Sequence, residues 1–291
     1  MGSITTFYSY KGGVGRTMAL ANIAVLLAKE GLRVLIVDWD LEAPGLHRYF
    51  QLEDELGRDG LIDLLEHCAR SSEVKQRWRT SVTPVMLDRK TKLDLIAAGR
   101  FDRDYDGRVL NFRWPDFFRE QSGAEKLELL RAEWDRTYDI TLIDSRTGIT
   151  DSGGVCTVQM PDVLVVVFSA NRQSLDGAKQ VAERAQAARQ NFAYDRASLL
   201  VFPLPSRFDG RTEFQESKRW LSTFETELGQ FYSDWLPKDI PVAEVLELTK
   251  LPYIAYFSFG EKLPVITEGV RDPVGLPRLV RQTVKTLATV R

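Results

Sequence analysis

The sequence has few cysteines and histidines. Its only cysteines are Cys68 and Cys156, and its only histidines are His47 and His67. These counts exclude a disulfide framework and a zinc site built from histidine and cysteine. Two unpaired cysteines are the usage expected in a reducing cytoplasm.

Long hydrophobic runs and an excess of one charge are missing as well. The longest apolar stretch near the N-terminus, 18–28, is shorter than the roughly 18 to 20 residues that cross a bilayer, and no secretory signal is evident. The 39 basic and 41 acidic residues leave a net charge of -2, without the basic excess of a dedicated nucleic-acid-binding protein. With 44% apolar residues, the chain of 291 residues is expected to be a folded cytoplasmic protein.

Strand-like and helix-like segments alternate along the chain. The β-branched and aromatic run at 4–10 predicts a strand, and the helically spaced apolar residues at 17–30 predict a helix that ends at Gly31. Further strands are predicted at 33–37, 93–97, 139–144, 163–169, 198–204 and 253–257, and further helices at 116–137, 174–190 and 278–290. This alternation predicts one α/β domain over 1–291, a doubly wound, mostly parallel sheet flanked by helices, with a helical or irregular insertion at about 53–137.

A glycine-rich segment, YKGGVGRT at 10–17, joins the first predicted strand to the first predicted helix. Gly12, Gly13 and Gly15 would let backbone N–H groups approach phosphate oxygens, and the helix N-terminus would add its positive end. Thr17 would offer its hydroxyl to Mg²⁺. The segment therefore predicts a phosphate-binding loop.

This loop departs from the plain Walker pattern G-x-x-x-x-G-K-[ST], because Arg16 fills the lysine slot and Tyr10 the first glycine slot. The run KGGVGRT at 11–17 instead resembles the deviant Walker A motif, K-G-G-x-G-K-[ST], of the MinD/ParA family of P-loop ATPases. The segment DWD at 38–40 resembles the first switch of that family, and IDSRTG at 143–148 resembles its second switch. Three motifs in the family's order make the resemblance specific.

The resemblance implies ATP and Mg²⁺ as cofactors and a homodimer in the ATP state. Lys11 would correspond to the signature lysine that reaches the phosphates of the other subunit, and Asp40 to the residue that positions or activates the attacking water. Arg16 would contact the β and γ phosphates in place of a lysine. Because its guanidinium is larger, planar and forked, we expect it to slow the hydrolysis of ATP to ADP and phosphate.

The same resemblance implies the remaining contacts. Thr17, Asp38 and Asp144 would serve the Mg²⁺ ion, with Asp144 acting through water and Asp38 supporting the switch network. The backbone at Pro203 and Pro205 would contact adenine. The residues expected to bind the nucleotide are Gly12, Gly13, Val14, Gly15, Arg16, Thr17, Met18, Pro203 and Pro205.

Each of these features also has a simpler interpretation. A glycine-rich segment can be only a tight turn, a carboxylate at the end of a strand can cap the next helix, and a loop lysine can be merely solvated. The agreement of the motifs with the predicted strands and helix favours nucleotide binding.

Three classes of function follow from this resemblance. The favoured one is a dimerising, slow ATPase switch that regulates or positions an unidentified protein partner, in the manner of bacterial MinD and ParA. The second is an ATP-using small-molecule enzyme of the same fold. The third is a non-hydrolysing nucleotide-binding scaffold, for which Arg16 is the main argument.

Membrane and nucleic acid are permitted as partners but are not favoured. The segment 278–291 combines basic and apolar residues, yet it is short for a membrane-surface helix and has no large aromatic anchor. Arg207, Arg211, Lys218 and Arg219 could face DNA, but acidic residues interleave with them and weaken the local field.

Overall fold

The computed structural model describes residues 2–52, 57–71, 74–148, 154–191, 196–208, 214–254 and 260–267. The helix predicted at 278–290, the membrane-surface segment at 278–291, positions 255–257 of the strand predicted at 253–257, and Arg211 lie outside these residues. Tyr253 and Ile254 are described and are not part of a strand.

Seven strands form one sheet. They are β1 (Ser3–Tyr8), β2 (Val34–Asp38), β3 (Thr83–Met86), β4 (Lys92–Ile96), β5 (Ile140–Asp144), β6 (Val163–Phe168) and β7 (Leu200–Pro205). Their order across the sheet is β3-β4-β2-β5-β1-β6-β7, with β3 antiparallel to β4 and all other neighbours parallel. The predicted doubly wound, mostly parallel sheet is confirmed.

Helices lie between these strands and after β7. They are α1 (Arg16–Lys29), α2 (Leu46–Tyr49), α3 (Leu61–Arg70), α4 (Val74–Arg77), α5 (Tyr105–Asn111), α6 (Trp114–Glu120), α7 (Gly123–Thr137), α8 (Arg172–Gln190), α9 (Phe214–Ser233), α10 (Val242–Thr249) and α11 (Pro264–Thr267). A 3₁₀ turn at Trp78–Ser81 follows α4, and a π-helical turn occupies Val155–Gln159. Among the described residues, no helix has both the length and the apolar character needed to cross a membrane.

Both faces of the sheet are covered, which explains the nearly continuous apolar runs of its strands. In β2, Val34 and Ile36 pack with α1 on one face, while Leu35 and Val37 pack with α3 and α7 on the other. Strands buried on both faces in this way are the usual solution in parallel sheets, because the crossover helices lie on both sides.

The region 53–137 contributes strands to the sheet as well as helices that pack on it. Its strands β3 and β4 extend one edge of the sheet, and α5 lies between β4 and α6. The single helix predicted at 116–137 is wrong: the structure has α6 and α7, separated by a left-handed Ser122 with φ of 50°. A Cβ on Gly123 would lie 2.4 Å from the ring of Phe117, so glycine permits the close packing at this corner.

The strand order brings the predicted switch segments together. β5 lies between β1 and β2, and the register pairs Asp144 with Asp38 on one side and with Phe7 on the other. Because these strands are parallel, their carboxyl ends meet at one edge of the sheet, where the glycine-rich loop follows β1.

Candidate functional site

The glycine-rich loop has the backbone conformation that its glycines permit. After β1, Gly13 has φ of 74° and Gly15 has φ of 84°, values in the left-handed region that other residues rarely adopt. Gly15 stands at the N-cap of α1, which begins at Arg16. A Cβ on Gly12 would have open space around it, so the absence of a side chain leaves this backbone exposed. The loop thus presents bare backbone at the start of a helix, which suits phosphate oxygens.

Tyr10, the first residue of this loop, packs against α8. A Cβ on Gly177 would lie 2.2 Å from the ring of Tyr10, so the ring rests directly on the backbone of that helix. The tyrosine in the first glycine slot of the Walker pattern therefore has a packing role.

Arg16 points towards carboxylates. Its Nε donates to Asp144 Oδ1 at 2.5 Å, and a terminal nitrogen donates to Asp40 Oδ2 at 2.8 Å. The side chain is only 6% exposed. Burial by itself would lower the pKa of Arg16, but Asp144 and Asp40 outweigh it and hold that pKa above its ordinary value. Arg16 thus forms a buried bridge between the two switch segments, and its contact with the β and γ phosphates stays a prediction.

Thr17 and Asp144 meet as a pair. The hydroxyl of Thr17 donates to Asp144 Oδ2 at 2.7 Å, so both oxygens of this carboxylate are engaged. Burial raises the pKa of Asp144, whereas Arg16 and Thr17 act to lower it. A hydroxyl and a carboxylate beside a phosphate-binding loop are the oxygen donors that Mg²⁺ uses next to nucleotide phosphates, so this pair fits that ion.

Asp38 accepts hydrogen bonds from the backbone that follows β2, and its predicted role towards Mg²⁺ stays a prediction. Its Oδ2 accepts from the backbone nitrogens of Gly45 and Leu46 at 3.1 and 3.0 Å, and its Oδ1 accepts from that of Asp40 at 3.3 Å. The carboxylate therefore caps α2 and holds the loop before it, as the simpler interpretation expects. Burial, followed by the nearby charge of Asp144, raises the pKa of Asp38 to about 8.

The side chains of the other predicted loop residues take no part in the hydrogen bonds of Arg16, Thr17 and Asp144. Lys11 is half-buried, and Val14 is buried in the core that α1 shares with the sheet. Met18 is partly buried against the same core, and its carbonyl accepts from the side chain of Asn22 at 2.8 Å.

A cavity of about 280 Å³ opens beside the loop. Its lining residues are Gly13, Gly15, Met18, Tyr49, Arg207, Pro252, Tyr253, Ile254, Gly260 and Glu261. Arg207 donates to the carbonyl of Gly13, and its guanidinium carbon lies 5.1 Å from the ring centroid of Tyr253. The sequence predicted Arg207 only as a possible DNA contact and Tyr253 only as part of a strand, because both come from segments that match no nucleotide-binding motif.

Pro203 and Pro205, predicted to contact adenine through their backbone, lie in β7 at the edge of the sheet. The carbonyl of Pro203 accepts from the hydroxyl of Tyr232 at 2.5 Å, and that of Pro205 accepts from the backbone of Leu251 at 2.8 Å. Both prolines are buried and neither lines the cavity. Both carbonyls thus have partners within the fold, and the contact with adenine stays a prediction.

Two contacts tie the first switch segment to the rest of the site. Arg146 of the second switch segment forms an ion pair with Glu42, two residues after the first switch segment. The hydroxyl of Tyr105 in α5 donates to the carbonyl of Leu41 at 2.7 Å in a buried position. These contacts join residues far apart in the sequence, and no local pattern indicates them.

A sequence profile of the CobQ/CobB/MinD/ParA nucleotide binding domain, CbiA, matches residues 5–252. The chain belongs to this family. The matched range contains the loop, both switch segments and six of the seven strands completely, so the resemblance noted in the motifs extends over most of the fold.

Individual relatives agree with this assignment. The septum site-determining protein MinD of Helicobacter pylori is 29% identical over 182 residues, which are 62% of this chain and 58% of that protein. The putative tyrosine-protein kinase EpsB of Ralstonia nicotianae is 28% identical over 179 residues, 60% of this chain but 20% of the kinase. The chain thus spans less than two thirds of the length of either relative.

Solved structures share the fold. The cell division ATPase MinD of Pyrococcus furiosus superimposes with a TM-score of 0.66 at 17% identity, covering 100% of both chains. MinD from Pyrococcus horikoshii, complexed with Mg-ADP, gives a TM-score of 0.65 at 18% identity over 99% of this chain and 98% of that one.

Proposed function

We propose that this protein is a nucleotide-dependent, dimerising switch that binds ATP with Mg²⁺ and hydrolyses it slowly. The observation that carries the proposal is the 2.7 Å contact of Thr17 with Asp144 at the start of α1, beside a left-handed glycine loop. Family membership and the Mg-ADP bound to the Pyrococcus horikoshii relative support the choice of ligand.

The loop and α1 would hold the phosphates. Backbone N–H groups around Gly12 to Gly15 can point at phosphate oxygens, since Gly12 and Gly13 are exposed and carry no side chain. Thr17 and Asp144 would hold Mg²⁺, whose bound charge would neutralise the phosphates and polarise them for attack. Asp40 would position the attacking water once its bond to Arg16 is released.

The cavity beside the loop would receive the base. Arg207 and Tyr253 form a cation–aromatic pair there, and a purine is a planar aromatic group of the kind that such a pair accommodates. The bond of Arg207 to the Gly13 carbonyl couples this pocket to the phosphate loop.

Lys11 would act on a second copy of the chain. It lies in the loop, half-buried, and takes no part in the bridge formed by Arg16. A cation supplied across an interface can accelerate phosphoryl transfer by about 10³ to 10⁵, by analogy with arginine fingers. Hydrolysis would then require the dimer.

Size-exclusion chromatography with light scattering tests this proposal. Wild type and Lys11→Ala are compared in ADP and in a non-hydrolysable ATP analogue, both with Mg²⁺. We expect a dimer only for the wild type with the ATP analogue. A monomer in every condition, with saturated nucleotide, would contradict the switch.

One observation favours the third class of function, a scaffold that binds nucleotide without hydrolysing it. Arg16 engages Asp40, the residue proposed to position water, at 2.8 Å. If this bond persists with ATP bound, Asp40 is not available for catalysis. Analysis of the nucleotide that remains on the protein after long incubation separates the two functions, because a scaffold retains ATP whereas a slow ATPase accumulates ADP.

A further inference from the structure

Arg16 is the shared cation of a buried acidic site. Its two hydrogen bonds go to carboxylates on different segments, Asp40 after β2 and Asp144 at the end of β5. Asp38 lies beside them and is itself fully buried. Among the described residues, Arg16 is the one cationic side chain within ion-pair distance of any of these three carboxylates.

Such a group of buried carboxylates requires a counter-charge. Moving a charged group from water into the protein core costs far more free energy than moving a neutral group, unless an opposite charge and hydrogen bonds compensate for the lost hydration. Here the compensation comes from the guanidinium and from the Thr17 hydroxyl. Without Arg16, the site would need another cation or protons.

The shape of arginine matters for this task. A guanidinium offers several N–H donors in a fixed plane, so it can bond two carboxylates at once, whereas a lysine ammonium is a single point charge. Arg16 uses Nε for Asp144 and a terminal nitrogen for Asp40, which places its positive charge between the two segments.

We infer that Arg16 is the built-in cation of this site, which it shares with Asp40, and that it competes with a divalent metal ion for Asp144. The guanidinium holds the two switch segments together when no metal is bound, and it must leave Asp144 before Mg²⁺ can use that carboxylate. This inference rests on the proposed function for the identity of the metal site. Arg16 is thereby a positioning residue, which acts through Asp40 and Asp144.

Binding of Mn²⁺ without nucleotide tests this competition. The free ion is measured by electron paramagnetic resonance during titration of wild type, Arg16→Gln and Arg16→Lys. We expect Arg16→Gln to bind Mn²⁺ at least tenfold more tightly than wild type, and Arg16→Lys to lie between them. The matched control is Arg33→Gln, which removes the same charge from the exposed ion pair with Asp139, and which should change the affinity less than twofold.

Equal Mn²⁺ affinities in wild type, both Arg16 variants and the Arg33 control would overturn the competition. If Arg16→Gln does not fold, the competition can be tested on the wild-type protein by hydrogen exchange of the Arg16 side chain. The Nε–H resonance of Arg16 should exchange slowly with solvent and should lose this protection as Mg²⁺ is added; unchanged protection at saturating Mg²⁺ would equally overturn the inference. Because neither measurement uses nucleotide, a failure to bind ATP would contradict only the proposed function.

Discussion

Arg16 and Asp144 are joined by a buried hydrogen bond of 2.5 Å between the start of α1 and the end of β5. This bond connects the phosphate loop to the second switch segment through a residue that stands in the lysine slot of the Walker motif. The contact explains how an arginine at this position can be stable in the core. It also predicts that Arg16 holds the phosphate loop and the second switch segment together.

Substitution of Arg16 by lysine should increase ATP turnover. A lysine keeps the charge but cannot bond Asp40 and Asp144 together in the same planar arrangement, so Asp40 is freed to act on water. We expect roughly a tenfold rise in turnover, equivalent to about 1.4 kcal/mol in the activation free energy. Steady-state phosphate release is the measurement, with Arg33→Lys as the control. If neither nucleotide affinity nor turnover changes in Arg16→Lys, the role assigned to Arg16 is wrong.

Substitution of Thr17 by valine should weaken nucleotide binding only when Mg²⁺ is present. Valine has nearly the shape of threonine but lacks the hydroxyl that bonds Asp144. We expect about a tenfold loss of ADP affinity in Mg²⁺ and little change in EDTA, as measured by calorimetry. Thr223→Val removes a hydroxyl that bonds a backbone carbonyl of α9 and should have no effect on affinity. An equal loss in Mg²⁺ and in EDTA would argue against a metal contact.

Substitution of Tyr105 by phenylalanine should loosen the first switch segment. The change leaves the Leu41 carbonyl without the donor it has at 2.7 Å, so the free energy of unfolding should fall by about 1 kcal/mol. Hydrogen exchange of residues 40–46 should become faster. Tyr232→Phe removes a comparable buried bond to Pro203 and should cost similar stability while leaving exchange at 40–46 unchanged. Identical exchange in the two variants would show that Tyr105 does not restrain the switch.

Substitution of Gly177 by alanine should destabilise the protein and disturb the phosphate loop. The new Cβ would lie 2.2 Å from the Tyr10 ring, so the ring must move, at a cost of about 1 to 3 kcal/mol. Gly229→Ala is the matched control, because this glycine also lies within a helix but has nothing within 4 Å of the added atom. The control should be neutral or stabilising by up to about 1 kcal/mol, through helix propensity. Chemical denaturation of both variants measures the difference, which should vanish if the Tyr10 contact is unimportant.

The position of most strands and of α1 could be predicted from local sequence patterns. The expected strand at 33–37 and helix at 17–30 differ from β2 and α1 by one residue at each end. The short edge strand β3 and the helix α9 were not predicted. In β3 the buried and exposed residues alternate over only four positions, while α9 mixes charged and aromatic residues whose burial depends on its packing against β7.

The sequence by itself determined the parts of the site that are contiguous in the chain. These are the glycine loop, the start of α1 and the acidic ends of β2 and β5, because glycine spacing and hydrophobic periodicity act over a few residues. Only the tertiary structure decided what those side chains contact. Arg16 could have faced the loop, but the strand order β2-β5-β1 places two carboxylates within its reach, and a buried charge takes the partner that packing provides.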